Sequence, residues 1–214
     1  MRAPCILLVG AGGFIGRHLH TTLQTAGYHV IGAGRLRPAN YSGEWFTLDL
    51  AHTNARPPAL PATLHPDCII NTAGLLTPCI DTLRRVHTDG AIALARLAQH
   101  TSSCLIQTSA LGAGEQPHIP FLATKAAADD FILNRQLDAV ILRPSLVIGP
   151  GATSTRWLSR LSRLPGIPLL DTRSRIQPLH INDLTQAILA LLHQWPEHTP
   201  CVLPLAGQEI LTQP

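Results

Sequence analysis

The stretch Ile6-Leu7-Leu8-Val9-Gly10-Ala11-Gly12-Gly13-Phe14-Ile15-Gly16 decides the fold. Four consecutive aliphatic residues without polar alternation read as a strand buried on both faces, as in a parallel sheet. The run stops at Gly10. An amphipathic segment then occupies 14–25, and Gly27 follows as a helix stop. At such a strand-to-helix junction each glycine has its own task. Gly10 permits the tight turn, Gly13 lets the backbone approach a pyrophosphate, and Gly16 lets the helix pack close to the strand. The first amides of the helix would meet the phosphate charge, with Gly12, Phe14 and Ile15 completing the loop. A glycine-rich turn without a ligand is the bland alternative, and the junction weighs against it.

Outward from this stretch, strands are expected at 28–31, 45–48, 68–70, 103–107 and 139–142, and helices at 81–100 and 122–134. Strands alternating with helices predict an α/β, Rossmann-like, doubly wound parallel sheet. The last third is less regular: a helix at 154–163, a strand at 176–180 and a helix at 182–194 capped by Asp183. No linker or repeat interrupts the chain. We therefore expect a dinucleotide-binding domain over 1–150 and a minimal C-terminal substrate lobe over 151–214, packed on the same sheet.

Composition closes off other classes. With 45% hydrophobic and 14% charged residues in 214, the chain can build a core and is not a disordered one. No run approaches the roughly 18 apolar residues of a membrane span. Met1-Arg2 before an apolar run superficially resembles a signal peptide, and the glycines inside that run argue against it. A net charge of +3, with Arg84-Arg85 the longest cationic run, leaves no nucleic-acid footprint. The five cysteines include no Cys-x-x-Cys pair, which points to a reducing cytoplasm. The 11 histidines include no His-Glu-x-x-His, so no metal is expected.

Several segments resemble one family in its own order: Val9 to Leu19, Asn71-Thr72-Ala73-Gly74, Ser109-Ala110-Leu111-Gly112-Ala113, Leu142-Arg143-Pro144-Ser145, Gly149-Pro150-Gly151 and Gln177 to Asp183. Together they resemble the extended and atypical short-chain dehydrogenase/reductases, with their NAD(P)-dependent epimerase/dehydratase-like members. The branch indicated contains the dehydrogenase-like accessory subunit of respiratory complex I and its bacterial relatives. The resemblance implies a dinucleotide cofactor held also by Asn71, Ala73, Gly74 and Pro144. It further implies that Asp49-Leu50 holds the adenine amine, unless Asp49 is only a turn or cap residue. NAD-selective sites place a carboxylate at the end of the second strand. Here that strand runs into Gly32-Ala33-Gly34-Arg35. Arg35, with Arg17 or Arg37 as helpers, suits the 2′-phosphate of NADP, so NADP is favoured over NAD.

The same resemblance exposes a departure. Relatives use a Tyr-x-x-x-Lys pair in which the lysine depresses the tyrosine pKa and grips the nicotinamide ribose. This chain reads Phe121-Leu122-Ala123-Thr124-Lys125, and Lys125 is the single lysine among 16 basic residues. Ser109 keeps the polar position that would orient a substrate carbonyl, and His87 stands where relatives often carry asparagine. The expectation is a redox-impaired, NAD(P)-binding protein with a structural, assembly or sensing role. Its competitor is an active NADP-dependent reductase, or a sugar-nucleotide epimerase/dehydratase-type enzyme, with water, His118 or Ser109 as substitute proton donor. An unidentified small molecule or protein partner completes either picture.

Overall fold

The computed structural model describes residues 3–152 and 175–212. Its centre is β1 (Cys5–Val9), whose five side chains are all buried. Cys5, Leu7 and Val9 enter one core with Leu94, Ala95 and Ile132, while Ile6 and Leu8 enter another with Leu19, Leu23 and Ile188. This two-sided burial explains why the strand shows no polar alternation.

The chain continues through α1 (Phe14–Thr25), β2 (His29–Gly34), β3 (Glu44–Thr47) and a 3₁₀ turn at Leu50–His52. Next come β4 (Cys68–Asn71), α2 (Ile80–Leu83), a π-helical segment (Arg84–Asp89) and α3 (Gly90–Thr101). The helix expected at 81–100 is thus present, with a wider turn inside it. Then follow β5 (Cys104–Thr108), α4 (Pro120–Asn134), β6 (Ala139–Pro144) and β7 (Val147–Ile148). After the described gap come β8 (Arg175–Ile176), β9 (Leu179–His180), α5 (Ile181–His193), β10 (Cys201–Leu205) and β11 (Leu211–Thr212).

Seven strands form one sheet in the order β10-β6-β5-β4-β1-β2-β3, and every neighbouring pair is parallel. The strand order reverses at β1, which lies between β2 and β4. Crevices at such a reversal, outside the carboxyl ends of the strands, are where open α/β sheets bind ligands.

The tail differs in detail from its sequence reading. The strand expected at 176–180 is split around Gln177 and Pro178 into β8, which pairs antiparallel with β11, and β9, which pairs with β7. Helix α5 is capped by the His180 ring, which accepts the Asn182 N–H at 3.2 Å, and Asp183 lies in its first turn instead. The helix expected at 154–163 lies outside the described residues. Strand β10, which the sequence reading passed over, completes the sheet beside β6. There the Ser145 N–H donates to the Leu205 carbonyl at 2.8 Å.

Candidate functional site

The glycine turn is shaped by two close approaches. Gly10 has a φ of +82°, and its N–H donates to the Ala33 carbonyl at 2.9 Å. A Cβ there would stand 2.7 Å from the Ala73 amide nitrogen, so β1 and β4 close on each other through this residue. A Cβ on Gly16 would collide with the Gly10 carbonyl oxygen, which fixes how near α1 comes to β1. Gly13 is different. It is exposed and caps α1, and an added Cβ would meet only the Gly10 oxygen, at 3.1 Å. Its outer side is open where a pyrophosphate would lie, so the backbone here fits a dinucleotide. Phe14 packs edge-on against His18 with ring centroids 5.3 Å apart, and Gly12 lies against Pro38.

At the end of β2, Arg35 is exposed. Arg37 is committed elsewhere: its guanidinium donates to the Tyr41 and Gly43 carbonyls at 3.2 and 3.0 Å and ties down the loop after β2. Of the two arginines in this loop, Arg35 is therefore the one turned to solvent without that duty. Asp49 acts as a cap. Its carboxylate accepts from the Ala51 N–H at 3.0 Å and contacts His52 Nδ1 at 2.9 Å. Leu50 is buried against Gly90 at the start of α3.

Asn71 organises the end of β4. Its side-chain oxygen accepts the Ala73 N–H at 3.0 Å, and its amide donates to Gln107 at 2.9 Å. This turn delivers Gly74 to the corner where α4 arrives. A Cβ built on Gly74 would sit 3.9 Å from Lys125 Nζ and 3.8 Å from His87 Nε2, so both groups converge on one point. Lys125 is 5% exposed and donates to the Thr108 carbonyl at 3.0 Å. Burial lowers its pKa to about 8, opposed by the Asp129 charge one turn along α4. Phe121 lies near both: the ammonium is 5.6 Å from its ring centre, and the His87 ring meets it edge-on at 5.2 Å. Pro144, buried at the end of β6, accepts the Leu111 N–H at 2.9 Å through its carbonyl.

His87 carries more of this corner than its sequence position revealed. The π-helical segment turns it inward to 2% exposure. Its Nε2 accepts the Leu75 N–H at 3.1 Å, which leaves the proton on Nδ1, facing Thr124 Oγ1 at 3.2 Å. Burial, then the Lys125 charge, lowers its pKa to about 3, so the ring is neutral at ordinary pH. Its three contacts tie the β4 loop, the π segment and α4 together.

Ser109 is placed otherwise than its substrate-facing reading implied. The side chain is buried and its hydroxyl donates to Asp129 at 2.7 Å. Arg143 reaches the same carboxylate oxygen with Nε and Nη2, each at 3.1 Å. Asp129 is fully buried; burial raises its pKa, against the bonds from Ser109 and Arg143. Neither partner was singled out from sequence, although the i, i+4 spacing from Lys125 to Asp129 was there to be read. His118 is exposed ahead of α4. No group of three or more metal-binding side chains occurs among the described residues.

A profile of the NAD dependent epimerase/dehydratase family matches residues 6–200. The chain belongs to that family. It is 30% identical over 192 residues to a ceramide reductase of Caulobacter vibrioides, covering 86% of this chain and 60% of the relative. It is also 27% identical over 212 residues to the mitochondrial NADH dehydrogenase [ubiquinone] 1 alpha subcomplex subunit 9 of Dictyostelium discoideum, covering 95% and 59%. The chain thus spans about three fifths of these curated relatives. Among solved structures, a putative epimerase from Burkholderia cenocepacia J2315 superposes with a TM-score of 0.81 at 20% identity, over 98% of this chain and 77% of the other. The family match agrees with the resemblance carried by the motifs, and the superposition with the doubly wound sheet. No helix among the described residues is long and apolar enough to cross a membrane.

Proposed function

We propose that this chain binds NADP in preference to NAD, and that its redox chemistry is impaired, leaving a structural, assembly or sensing role. The observation that carries the reading is the corner at Gly74. A buried lysine is retained where the family's cofactor ribose would lie, and the aromatic ring beside it has no hydroxyl. When bound, the dinucleotide supplies a hydride acceptor or donor. The chain's own contribution is positioning. The Gly10–Gly16 turn and the first amides of α1 hold the pyrophosphate, Asn71 sets the Ala73-Gly74 backbone, Lys125 grips the ribose, and Arg35 meets the 2′-phosphate.

What is missing is a proton donor. A general acid contributes on the order of 10²–10⁴ in rate. Ser109 spends its hydrogen on Asp129, His87 is neutral with its Nε2 lone pair engaged by Leu75, and His118 is exposed. None of these supports a ready substitute for the tyrosine. Similarity to a ceramide reductase favours the competing reading, an active reductase, and similarity to a complex I subunit favours the first.

Calorimetric titration with NADPH and NADH tests the proposal. NADPH should bind more tightly, and the Arg35→Ala variant should lose that preference. Equal affinities, or a preference for NADH, would overturn the assignment of Arg35. No binding of either would overturn the site.

A further inference from the structure

The described residues expose eight large aliphatic side chains: Leu36, Leu76, Ile80, Leu111, Leu146 and Ile210 stand in segments that follow the C-terminal end of a main-sheet strand, and Ile176 and Leu211 pair with each other in β8 and β11. None lies on the outer faces of α1, α3, α4 or α5, and none in the loops at the opposite end of the sheet. Single exposed leucines are ordinary on a protein surface. The grouping of six of them behind the carboxyl ends of the main-sheet strands is not.

The segregation is sharpest beside the Lys125 corner. Leu76 is 83% exposed and Ile80 58%, both after β4. Leu111 is 45% exposed after β5, and Leu146 39% after β6. These three strands are adjacent in the sheet, so their ends span about 10 Å. The segments themselves carry no charge: no Asp, Glu, Lys or Arg occurs in 72–80, 108–114 or 144–152. Of the cations near them among the described residues, Lys125 is engaged with the Thr108 carbonyl and Arg143 with Asp129, while Arg17 lies by Gly151, five residues beyond Leu146. A nucleoside diphosphate sugar brings two phosphates that need cations or a row of donors. A hydrocarbon needs apolar surface and no charge, which is what these segments offer.

We propose that the substrate side of this site takes the hydrocarbon tail of an uncharged, long-chain carbonyl compound, laid across Leu76, Ile80, Leu111 and Leu146 with its carbonyl at the Phe121–Lys125 corner. The assignment rests on the dinucleotide-site reading for the position of the carbonyl end, and on the exposed strip alone for the tail. It requires binding and no turnover, so it holds for a redox-impaired chain.

The probes are 2-undecanone, 2-pentanone and UDP-glucose, each followed by saturation-transfer NMR with and without NADPH. A fully buried methylene is worth roughly fourfold in affinity. With six more methylenes, partly buried, 2-undecanone should bind at least about tenfold more tightly than 2-pentanone, and UDP-glucose more weakly than 2-undecanone. Leu76→Gln with Leu111→Gln changes two exposed positions that the fold does not need. It should reduce the chain-length preference at least threefold and leave the NADPH titration unchanged. Equal binding of the two ketones, a preference for UDP-glucose, or an undiminished preference in the double variant would overturn the proposal. The NADPH titration separates the two ideas. Chain-length preference without dinucleotide binding sinks the site reading alone, and dinucleotide binding without chain-length preference sinks the tail assignment alone.

Discussion

Between Gly10 and Gly16 the candidate site is made of backbone, whereas the corner around Gly74 is made of side chains, and the two halves have kept the family pattern to different degrees. In the first half the positive φ of Gly10 and the close approach of Gly16 leave almost no freedom in residue type. In the second, Lys125 stands beside Phe121, where the resemblance implies a tyrosine, and the buried His87 packs edge-on against that ring. On the proposed reading, the difference teaches that cofactor binding and proton transfer are separable in this architecture. Steric closure would protect the one, and the other would hang on a single hydroxyl.

The most disruptive way to test the backbone half is Gly16→Val. Its side chain would drive into the Gly10 carbonyl, and we expect a loss of at least about 3 kcal/mol of stability, read from the thermal midpoint. A fold unchanged by this variant would mean that α1 packs differently from the description above.

The side-chain half answers to pH. Lys125 has a pKa of about 8 when folded against 10.5 for the free side chain. Between those values the unfolded chain holds more protons than the folded one, so stability rises with pH over that window. Below pH 8 the full cost of burying the ammonium is present. The swing is about 3 kcal/mol. Lys125→Met should abolish it, so wild type should gain on the variant as unfolding midpoints are compared from pH 7 to pH 10. Parallel pH curves would place the ammonium in water.

Phe121→Tyr asks whether the corner is dormant. The added hydroxyl stands near Lys125, and we expect slow NADPH-dependent reduction of aldehydes and ketones about 100-fold above wild type. A variant as silent as wild type would show that His87 and Phe121 have jointly reshaped the corner, and His87→Asn in the same background would then be the informative addition. Wild type already turning over at about 1–10³ per second would end the redox-impaired reading.

The gentlest test returns to the loop. Gly13→Val is milder than Gly16→Val, since its Cβ would meet only the Gly10 oxygen, at a tight 3.1 Å. It should leave the thermal midpoint within a few degrees and weaken dinucleotide binding at least about tenfold, by calorimetry.

The glycine turn was legible because its constraint is local: a buried strand, a positive φ and a helix start are all written within eleven residues. Lys125 stood out through its uniqueness in composition and its place four residues after Phe121. The partners of Ser109 were harder to see, because Asp129 and Arg143 meet it only after α4 has packed across β5 and β6. His87 was noticed as a departure, but its inward turn depends on a π-helical segment that no periodicity announces. Strand β10 was missed, and it carries a proline, Pro204. Pro204 is tolerated because the strand has only one neighbour.

That same proline has a consequence for how the molecule meets others. Along a strand the backbone groups of successive residues point alternately to the two sides. Since the Leu205 carbonyl faces β6, Pro204 faces away from the sheet. Of the two residues that face that open border, Val202 and Pro204, only Val202 has a hydrogen to offer an incoming strand. Stacking of sheets edge to edge, the usual first step of runaway self-association, meets a gap there.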